Sequence, residues 1–185
     1  MVVTAHPTLV IFASDKGPGD AERSSIMSQA GSYFARKGAR IVCLAEKGVI
    51  AVPLVTSARA AGGDVLIVAD ETIVLPPALS GVAMEVIADP AERIARIAAL
   101  ADAFIGLPGS LASASSLFTT WTKAGGKAGG KPLVLLNRNR AFEVLRGYAA
   151  DVLSHSVRDH EKAMQFTDNI EDMWNRVSRM LGVPH

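Results

Sequence analysis

The sequence predicts an α/β protein: a Rossmann-like, doubly wound, mainly parallel sheet of six or seven strands with helices on both faces. Three observations predict it. Short apolar runs without alternation recur along the 185 residues, as in strands that are buried on both faces. Amphipathic segments of helical period lie between these runs, and such strand–helix alternation requires crossover connections. No linker-like stretch divides the chain, so residues 1–185 are expected to form a single domain.

The predicted elements follow one another in a regular order. Runs of mostly apolar residues predict strands at 8–14, 39–45, 64–69, 84–88, 103–107 and 132–137. Segments of helical period predict helices at 20–37, 53–61, 90–101, 112–124, 140–154 and 169–181. Gly38 is expected to end the first of these helices. Asp89 and Pro90 are expected to begin the third, as its N-cap and its first helical residue.

Composition excludes several classes of protein. The chain is 49% hydrophobic and 20% charged, which is typical of a soluble globular protein. Its net charge of +1 gives no reason to expect a nucleic acid or a membrane surface as a partner. The single cysteine, Cys43, excludes an internal disulfide and favours a reducing compartment. The apolar run near the N-terminus lacks the flanks of a signal peptide, so we expect a cytoplasmic location.

Ligands of such sheets bind beyond the carboxyl ends of the strands, which directs attention to four loops: 14–20, 45–53, 70–82 and 107–113. The last loop opens the stretch "LPGSLASASSL" at 107–117. Free N–H groups and the helix dipole at such a helix start favour an anion. Alternatively, one serine caps the helix and the others are small residues that allow close packing. The candidate ligand-binding residues here are Pro108, Gly109, Ser110, Ala112 and Ser113.

Two further helix starts contribute candidates. Ser14 and Lys16 follow the first strand, although "SDKGPG" is not a dinucleotide-binding motif and also fits a turn that needs no ligand. Glu92 and Arg93 begin the helix after the fourth strand. An arginine there can pair with phosphate, but a capping glutamate beside a solvated arginine explains the pattern equally well.

Other motifs carry less weight. The lysines of "KAGGKAGGK" at 123–131 form either a basic flap over the site or a solvated loop. The histidines and the cysteine show no metal-ligand spacing, so neither a metal nor a cofactor is expected. No serine lies in a G-x-S-x-G elbow, which leaves a hydrolase triad without support.

The segments "ADAFIGLPG", "LFTTWT" and "KPLVLLN", in this order, resemble the LOG (Lonely Guy) family, also labelled lysine-decarboxylase-like. The resemblance implies a Rossmann-like fold, which molybdenum-cofactor carrier proteins share. It also implies hydrolysis of nucleoside 5'-monophosphates to free base and ribose 5-phosphate. Arg93 matches the family's functional arginine, Glu92 its neighbour, and Ser14 a serine of the first loop. Ser116 takes the place of the glutamate in the family signature P-G-G-x-G-T-x-x-E.

Other signature positions have also changed. Pro108 and Gly109 are retained, whereas Ser110, Ala112 and Ser113 replace two glycines and a threonine. The glycine-rich loop of the family falls on 44–52 and keeps none of its glycines in place. Because serine cannot supply the negative charge of the lost glutamate, efficient glycosidic cleavage is not expected.

The resemblance leaves three expectations. The first is a binding protein for a small phosphorylated ligand such as AMP. The second is a divergent phosphoribohydrolase, not a lysine decarboxylase, whose carboxylate comes from Glu46, Asp15 or Glu92. The third is an inactive structural partner in an oligomer. A homodimer is expected in any case, both from the resemblance and from the aromatic helix that carries Leu117, Phe118 and Trp121.

Overall fold

A computed structural model describes residues 6–14, 21–124, 130–153, 155 and 164–184. Seven parallel strands form one sheet in the order β4-β3-β2-β1-β5-β6-β7. The strands are β1 Thr8–Phe12, β2 Arg40–Ala45, β3 Val65–Ala69, β4 Ala83–Val86, β5 Ala103–Gly106, β6 Leu133–Leu136 and β7 Met164–Thr167. The predicted fold class is therefore confirmed.

The described residues form six α-helices, which connect or follow these strands. They are α1 Ala21–Arg36, α2 Val52–Ala60, α3 Pro90–Leu100, α4 Leu111–Lys123, α5 Glu143–Tyr148 and α6 Ile170–Leu181. A π-helical turn, Ala149–Leu153, continues α5, and short 3-10 turns lie at Pro77–Leu79 and Arg138–Arg140. No helix in the described ranges is long and apolar enough to cross a bilayer.

The sheet buries both of its faces, which explains why its strands do not alternate. In β1, Leu9 and Ile11 join the core that α1, α2 and α6 cover. Val10 and Phe12 point to the opposite face and join the core that α3 and α4 cover. A strand with apolar contacts on both sides needs apolar residues at every position.

The order of the strands creates a crevice between β1 and β5. From β1 the chain winds outward through β2 and β3 to β4, and then returns to β5 on the other side of β1. Both neighbours pair with β1 in parallel, for example Leu9 with Ile41 in β2 and Val10 with Phe104 in β5. The loops after β1 and β5 therefore lead to opposite faces, which leaves an opening at their carboxyl ends.

The predicted elements agree with the structure with three exceptions. The cap of α3 is confirmed, because Asp89 Oδ1 accepts the N–H of Glu92 at 2.8 Å and Pro90 is the first helical residue. The strand Met164–Thr167 was not predicted, since its four residues lie at an edge and carry little apolar signal. β4 departs from the burial on both faces that is expected for most of the strands, since Ala83 and Val86 are exposed at the other edge. The helix predicted at 140–154 is α5 followed by the π-helical turn.

Candidate functional site

A pocket opens at the carboxyl ends of β1 and β2, against the start of α4. We call it the switch-point pocket; its volume is about 230 Å³. It is lined by residues from three segments: Phe12, Ala13 and Ser14 after β1; Leu44, Glu46, Lys47 and Val49 around the end of β2; and Ser110, Ala112, Ser113, Ser115 and Ser116 in α4. This is the position at which doubly wound sheets bind their ligands.

The first turn of α4 lies against this pocket. Ser110 is the N-cap, and its Oγ accepts the N–H of Ser113 at 3.2 Å. The Ser113 hydroxyl donates back to the carbonyl of Ser110 at 2.8 Å. The predicted cap is therefore confirmed at Ser110, and it occupies one of the N–H groups that a helix start leaves without an intrahelical partner. Ala112, the second residue of the helix, also lines the pocket.

Gly109 lets the loops after β1 and β5 approach each other closely. A Cβ atom at this position would lie 2.6 Å from Ser113 Oγ and 3.2 Å from the backbone nitrogen of Ser14. Pro108 and Gly109 themselves line a neighbouring groove between α4 and α5, which we call the α4–α5 groove. Ser110 and Ser113 contribute to both cavities.

A tight turn over residues 46–49 forms the opposite wall of the pocket. The N–H of Val49 donates to the carbonyl of Glu46 at 2.9 Å, and both central residues have positive φ, 52° at Lys47 and 75° at Gly48. Positive φ at both central positions is the signature of a type I′ turn, which suits glycine better than lysine. The turn directs the side chains of Glu46, Lys47 and Val49 to the pocket.

Asp70, at the end of β3, holds this turn in place. Its Oδ2 accepts the N–H of Lys47 at 2.8 Å, and its Oδ1 accepts the N–H of Thr72 at 3.0 Å and the Thr72 hydroxyl. The Thr72 hydroxyl oxygen in turn accepts the N–H of Gly48 at 2.9 Å. Burial alone would raise the pKa of Asp70, but these hydrogen bonds and the charge of Arg93 outweigh it and lower the pKa.

Arg93 is buried and bonded within the chain. Its Nε and Nη2 donate to Glu46 Oε1 at 3.0 and 2.9 Å, and its Nη1 donates to the carbonyls of Ile87 and Ala88 at 2.6 and 3.1 Å. The alternative of a solvated arginine is wrong, because only 4% of the residue is exposed. Arg93 is not among the residues that line the switch-point pocket, whereas its partner Glu46 is.

The structure thus brings together some of the predicted residues and not others. Ser14, Ser110, Ala112, Ser113 and Ser116 line the pocket. Glu92 is exposed and lines neither the switch-point pocket nor the α4–α5 groove. Lys16 and Asp15 lie outside the described residues. Contact between Arg93 and a ligand stays a prediction.

The lysine-rich segment 123–131 lies partly outside the described residues, but Lys131 belongs neither to a flap nor to a solvated loop. Its ammonium group donates to the carbonyl of Ala98 at 2.5 Å, in the last turn of α3. Burial lowers the pKa of Lys131, and the charge of Asp102 partly offsets this. Lys131 therefore has a structural role, as a cation at a helix C-terminus.

Sequence reasoning missed three residues of the site: Lys47, Asp70 and Thr72. The first lines the pocket, and the other two hold the turn that carries it. The signal was the pair Lys47-Gly48 at the end of a predicted strand. It is weaker than the Asn-Gly or Asp-Gly pairs that mark type I′ turns.

Solved structures of low sequence identity share this architecture. The molybdenum cofactor carrier protein of Chlamydomonas reinhardtii superposes with a TM-score of 0.69 at 14% identity, over 96% of this chain and 99% of that one. The protein TM1055 gives a TM-score of 0.67 at 18% identity, over 94% and 99% of the two chains. The molybdenum cofactor binding protein of the phototrophic bacterium Rippkaea orientalis gives 0.66 at 14% identity, over 95% and 98%.

These similarities show the fold alone, because every identity is below one fifth. No protein-family profile matches the chain, and no curated protein matches it significantly. The chain therefore has the doubly wound α/β fold of the molybdenum cofactor carrier proteins. Its ligand must be argued from the residues of the pocket.

Proposed function

We propose that the protein binds a small phosphorylated ligand, such as the nucleoside 5'-monophosphate AMP, in the switch-point pocket. The observation that carries the proposal is the position of the first turn of α4, whose residues Ser110, Ala112 and Ser113 line this pocket. N–H donors and the positive end of the helix dipole favour a phosphate group there. Lys47 adds a positive charge on the opposite wall, in a pocket at the switch point of the sheet.

The same pocket argues against efficient cleavage of the glycosidic bond. Ser116 lines it at the position where the resemblance to the LOG family has a glutamate. A serine supplies no negative charge to steady the positive charge that develops on the ribose. Losses of a group of this kind lower rates by a factor on the order of 100 to 1,000. The chain is then a divergent, LOG-like binding protein with a degenerate active site.

A divergent phosphoribohydrolase is the second candidate, and Glu46 is the observation that favours it. Glu46 lines the same pocket and is the one acidic residue among the described residues of its lining. Glu92 offers no comparable position, since it is exposed outside the pocket. Activity at Glu46 would release free base and ribose 5-phosphate from AMP.

An inactive partner in an oligomer is the third candidate. The α4–α5 groove, of about 520 Å³, includes Phe118 and the exposed Val144, and Tyr148 is exposed nearby in α5. Apolar and aromatic side chains of this kind favour burial in a homodimer. Light scattering at micromolar concentration tests this proposal, since a homodimer has twice the 19.4 kDa mass of one chain.

One assay separates the binding protein from the enzyme. The protein is incubated with AMP and other nucleoside monophosphates, and free base is measured by chromatography. In parallel, thermal unfolding is recorded with the same compounds and with adenosine as the unphosphorylated control. Stabilisation by the monophosphates without base release supports the binding protein, and base release supports the enzyme. If neither occurs, the role in an oligomer gains support. The molybdenum cofactor is the second ligand to test, because two of the structural neighbours are named for it.

A further inference from the structure

Two arginine–glutamate pairs lie on neighbouring parts of the fold, and they differ in which oxygen atoms they use. On the surface, Arg96 binds both oxygens of Glu85, with Nε 2.8 Å from Oε2 and Nη2 2.8 Å from Oε1. In the pocket wall, both N–H groups of Arg93 go to Oε1 of Glu46. Within the described part of the chain, no group donates a hydrogen bond to Glu46 Oε2. Among these residues, Glu46 Oε2 therefore has no hydrogen bond that a ligand would have to replace.

Glu46 is positioned to contact a ligand in the pocket. The residue directly follows β2, its side chain is 25% exposed, and it lines the switch-point pocket. An ionised carboxylate accepts hydrogen bonds and cannot donate them. In doubly wound folds that bind nucleotides, an acidic residue in this region accepts the hydroxyl groups of a ribose. A hydroxyl bound to a carboxylate makes one of the stronger kinds of hydrogen bond.

Arg93 fixes the direction of this carboxylate. Its remaining contacts, to the carbonyls of Ile87 and Ala88, anchor the guanidinium group to the end of β4. The guanidinium therefore restrains Oε1 through two hydrogen bonds, and Arg93 is buried and absent from the pocket lining. Arg93 acts through Glu46, as a positioning residue.

The size of the pocket limits the size of the ligand that it can enclose. A volume of about 230 Å³ lies below the roughly 300–1,000 Å³ of pockets that enclose drug-sized ligands. A sugar phosphate fits this size better than a dinucleotide does. The base of a mononucleotide would then project from the mouth of the pocket.

We infer that Glu46 Oε2 accepts hydrogen bonds from the sugar hydroxyl groups of the ligand, so that the pocket selects a ribose phosphate over a deoxyribose phosphate. A second phosphate at the 2' position is rejected, because it would face the Glu46 carboxylate. The inference rests on the proposed binding of a phosphorylated ligand and adds the class of sugar.

Calorimetric titration of the full chain tests the inference with three probes: AMP, 2'-deoxy-AMP and adenosine 2',5'-bisphosphate. For the wild type we expect 2'-deoxy-AMP to bind about tenfold to a hundredfold more weakly than AMP, as for loss of a hydrogen bond to a charged group. The bisphosphate should also bind more weakly than AMP. In Glu46→Gln, the ratio between AMP and 2'-deoxy-AMP should fall below about threefold, and the bisphosphate should bind better than it does to the wild type.

Glu85→Gln is the matched control, because it removes a carboxylate that is also paired with arginine but lies outside the pocket lining. It should keep the ratio of the wild type. Equal affinities for AMP and 2'-deoxy-AMP in the wild type would overturn the inference and leave the proposed function standing. An unchanged ratio in a folded Glu46→Gln variant would also overturn it. If no phosphorylated probe binds, the proposed function fails and the inference fails with it. The wild-type comparison decides the matter even if Glu46→Gln does not fold.

Discussion

Arg93 joins the start of α3 to the ends of two strands through one guanidinium group, and its partner Glu46 lies 47 positions earlier in the sequence. The two bonds to Glu46 Oε1, at 3.0 and 2.9 Å, tie the start of α3 to the end of β2. The bonds to the carbonyls of Ile87 and Ala88 tie the same helix to the end of β4. The wall of the switch-point pocket thus depends on an arginine that does not itself line the pocket.

Replacing Arg93 with lysine should destabilise the protein, although the charge is kept. An ammonium group cannot reach Glu46 and two carbonyls in the planar arrangement of a guanidinium. We expect a loss of about 1–3 kcal/mol in the free energy of unfolding, measured by urea denaturation. Arg96→Lys, in the exposed pair with Glu85, is the control and should cost less than about 1 kcal/mol. Equal losses in the two variants would contradict the structural role of Arg93.

Asp70 should make the stability of the folded protein depend on pH in the acid range. Its pKa is lowered in the folded chain, so the unfolded chain binds the proton more readily. The stabilisation is complete above the ordinary aspartate pKa of about 3.9 and is lost as pH falls through the folded-state value below it. Asp70→Asn should therefore lower the free energy of unfolding at neutral pH by about 1–3 kcal/mol. It should also make the free energy of unfolding fall less steeply as the pH is lowered.

Unfolding curves at a series of pH values check this expectation for Asp70. The exposed neighbour Glu71 provides the control, because Glu71→Gln should leave the acid decline as it is in the wild type. An Asp70→Asn variant with the stability and acid decline of the wild type would show that the 46–49 turn does not need this anchor.

Two helical glycines should respond to alanine in opposite directions. A Cβ at Gly31 in α1 would collide with the Leu54 carbonyl and the Ser57 hydroxyl of α2, whereas nothing lies within 4 Å of a Cβ at Gly147 in α5. We expect Gly31→Ala to cost about 1–3 kcal/mol through overpacking and Gly147→Ala to add about 0.5–1 kcal/mol through helix propensity. Thermal unfolding of both variants measures the difference. A Gly31→Ala variant as stable as the wild type would argue against the close approach of α1 and α2.

Local patterns predicted six of the seven strands, the cap of α3 and the helix start that carries the pocket serines. The spacing of Arg93 did indicate burial, because it lies four residues before Ile97, which is buried on the inner face of α3, but its charge favoured exposure. The pairing of Arg93 with Glu46 was not predictable from local pattern, because the contact depends on how β2 and β4 lie in the sheet. The 46–49 turn depends similarly on Asp70, a residue of another strand end.

The central claim is that the start of α4 binds a phosphate group, and one pair of variants tests it most directly. Ala112 and Ala91 are both the second residue of a helix, but Ala112 lines the pocket and Ala91 is exposed at the start of α3. The first turn of a helix favours a negatively charged side chain such as aspartate, so both variants should fold. In Ala112→Asp, however, the carboxylate would repel a bound phosphate.

The measurement is the thermal stabilisation by AMP minus that by adenosine, in the wild type and in both variants. At a concentration one hundred times its Kd, AMP should stabilise the wild type and Ala91→Asp by about 2.7 kcal/mol, or several degrees in Tm. Ala112→Asp should lose most of this stabilisation. If AMP stabilises the wild type no more than adenosine does, or if Ala112→Asp responds like Ala91→Asp, the phosphate does not bind at the start of α4.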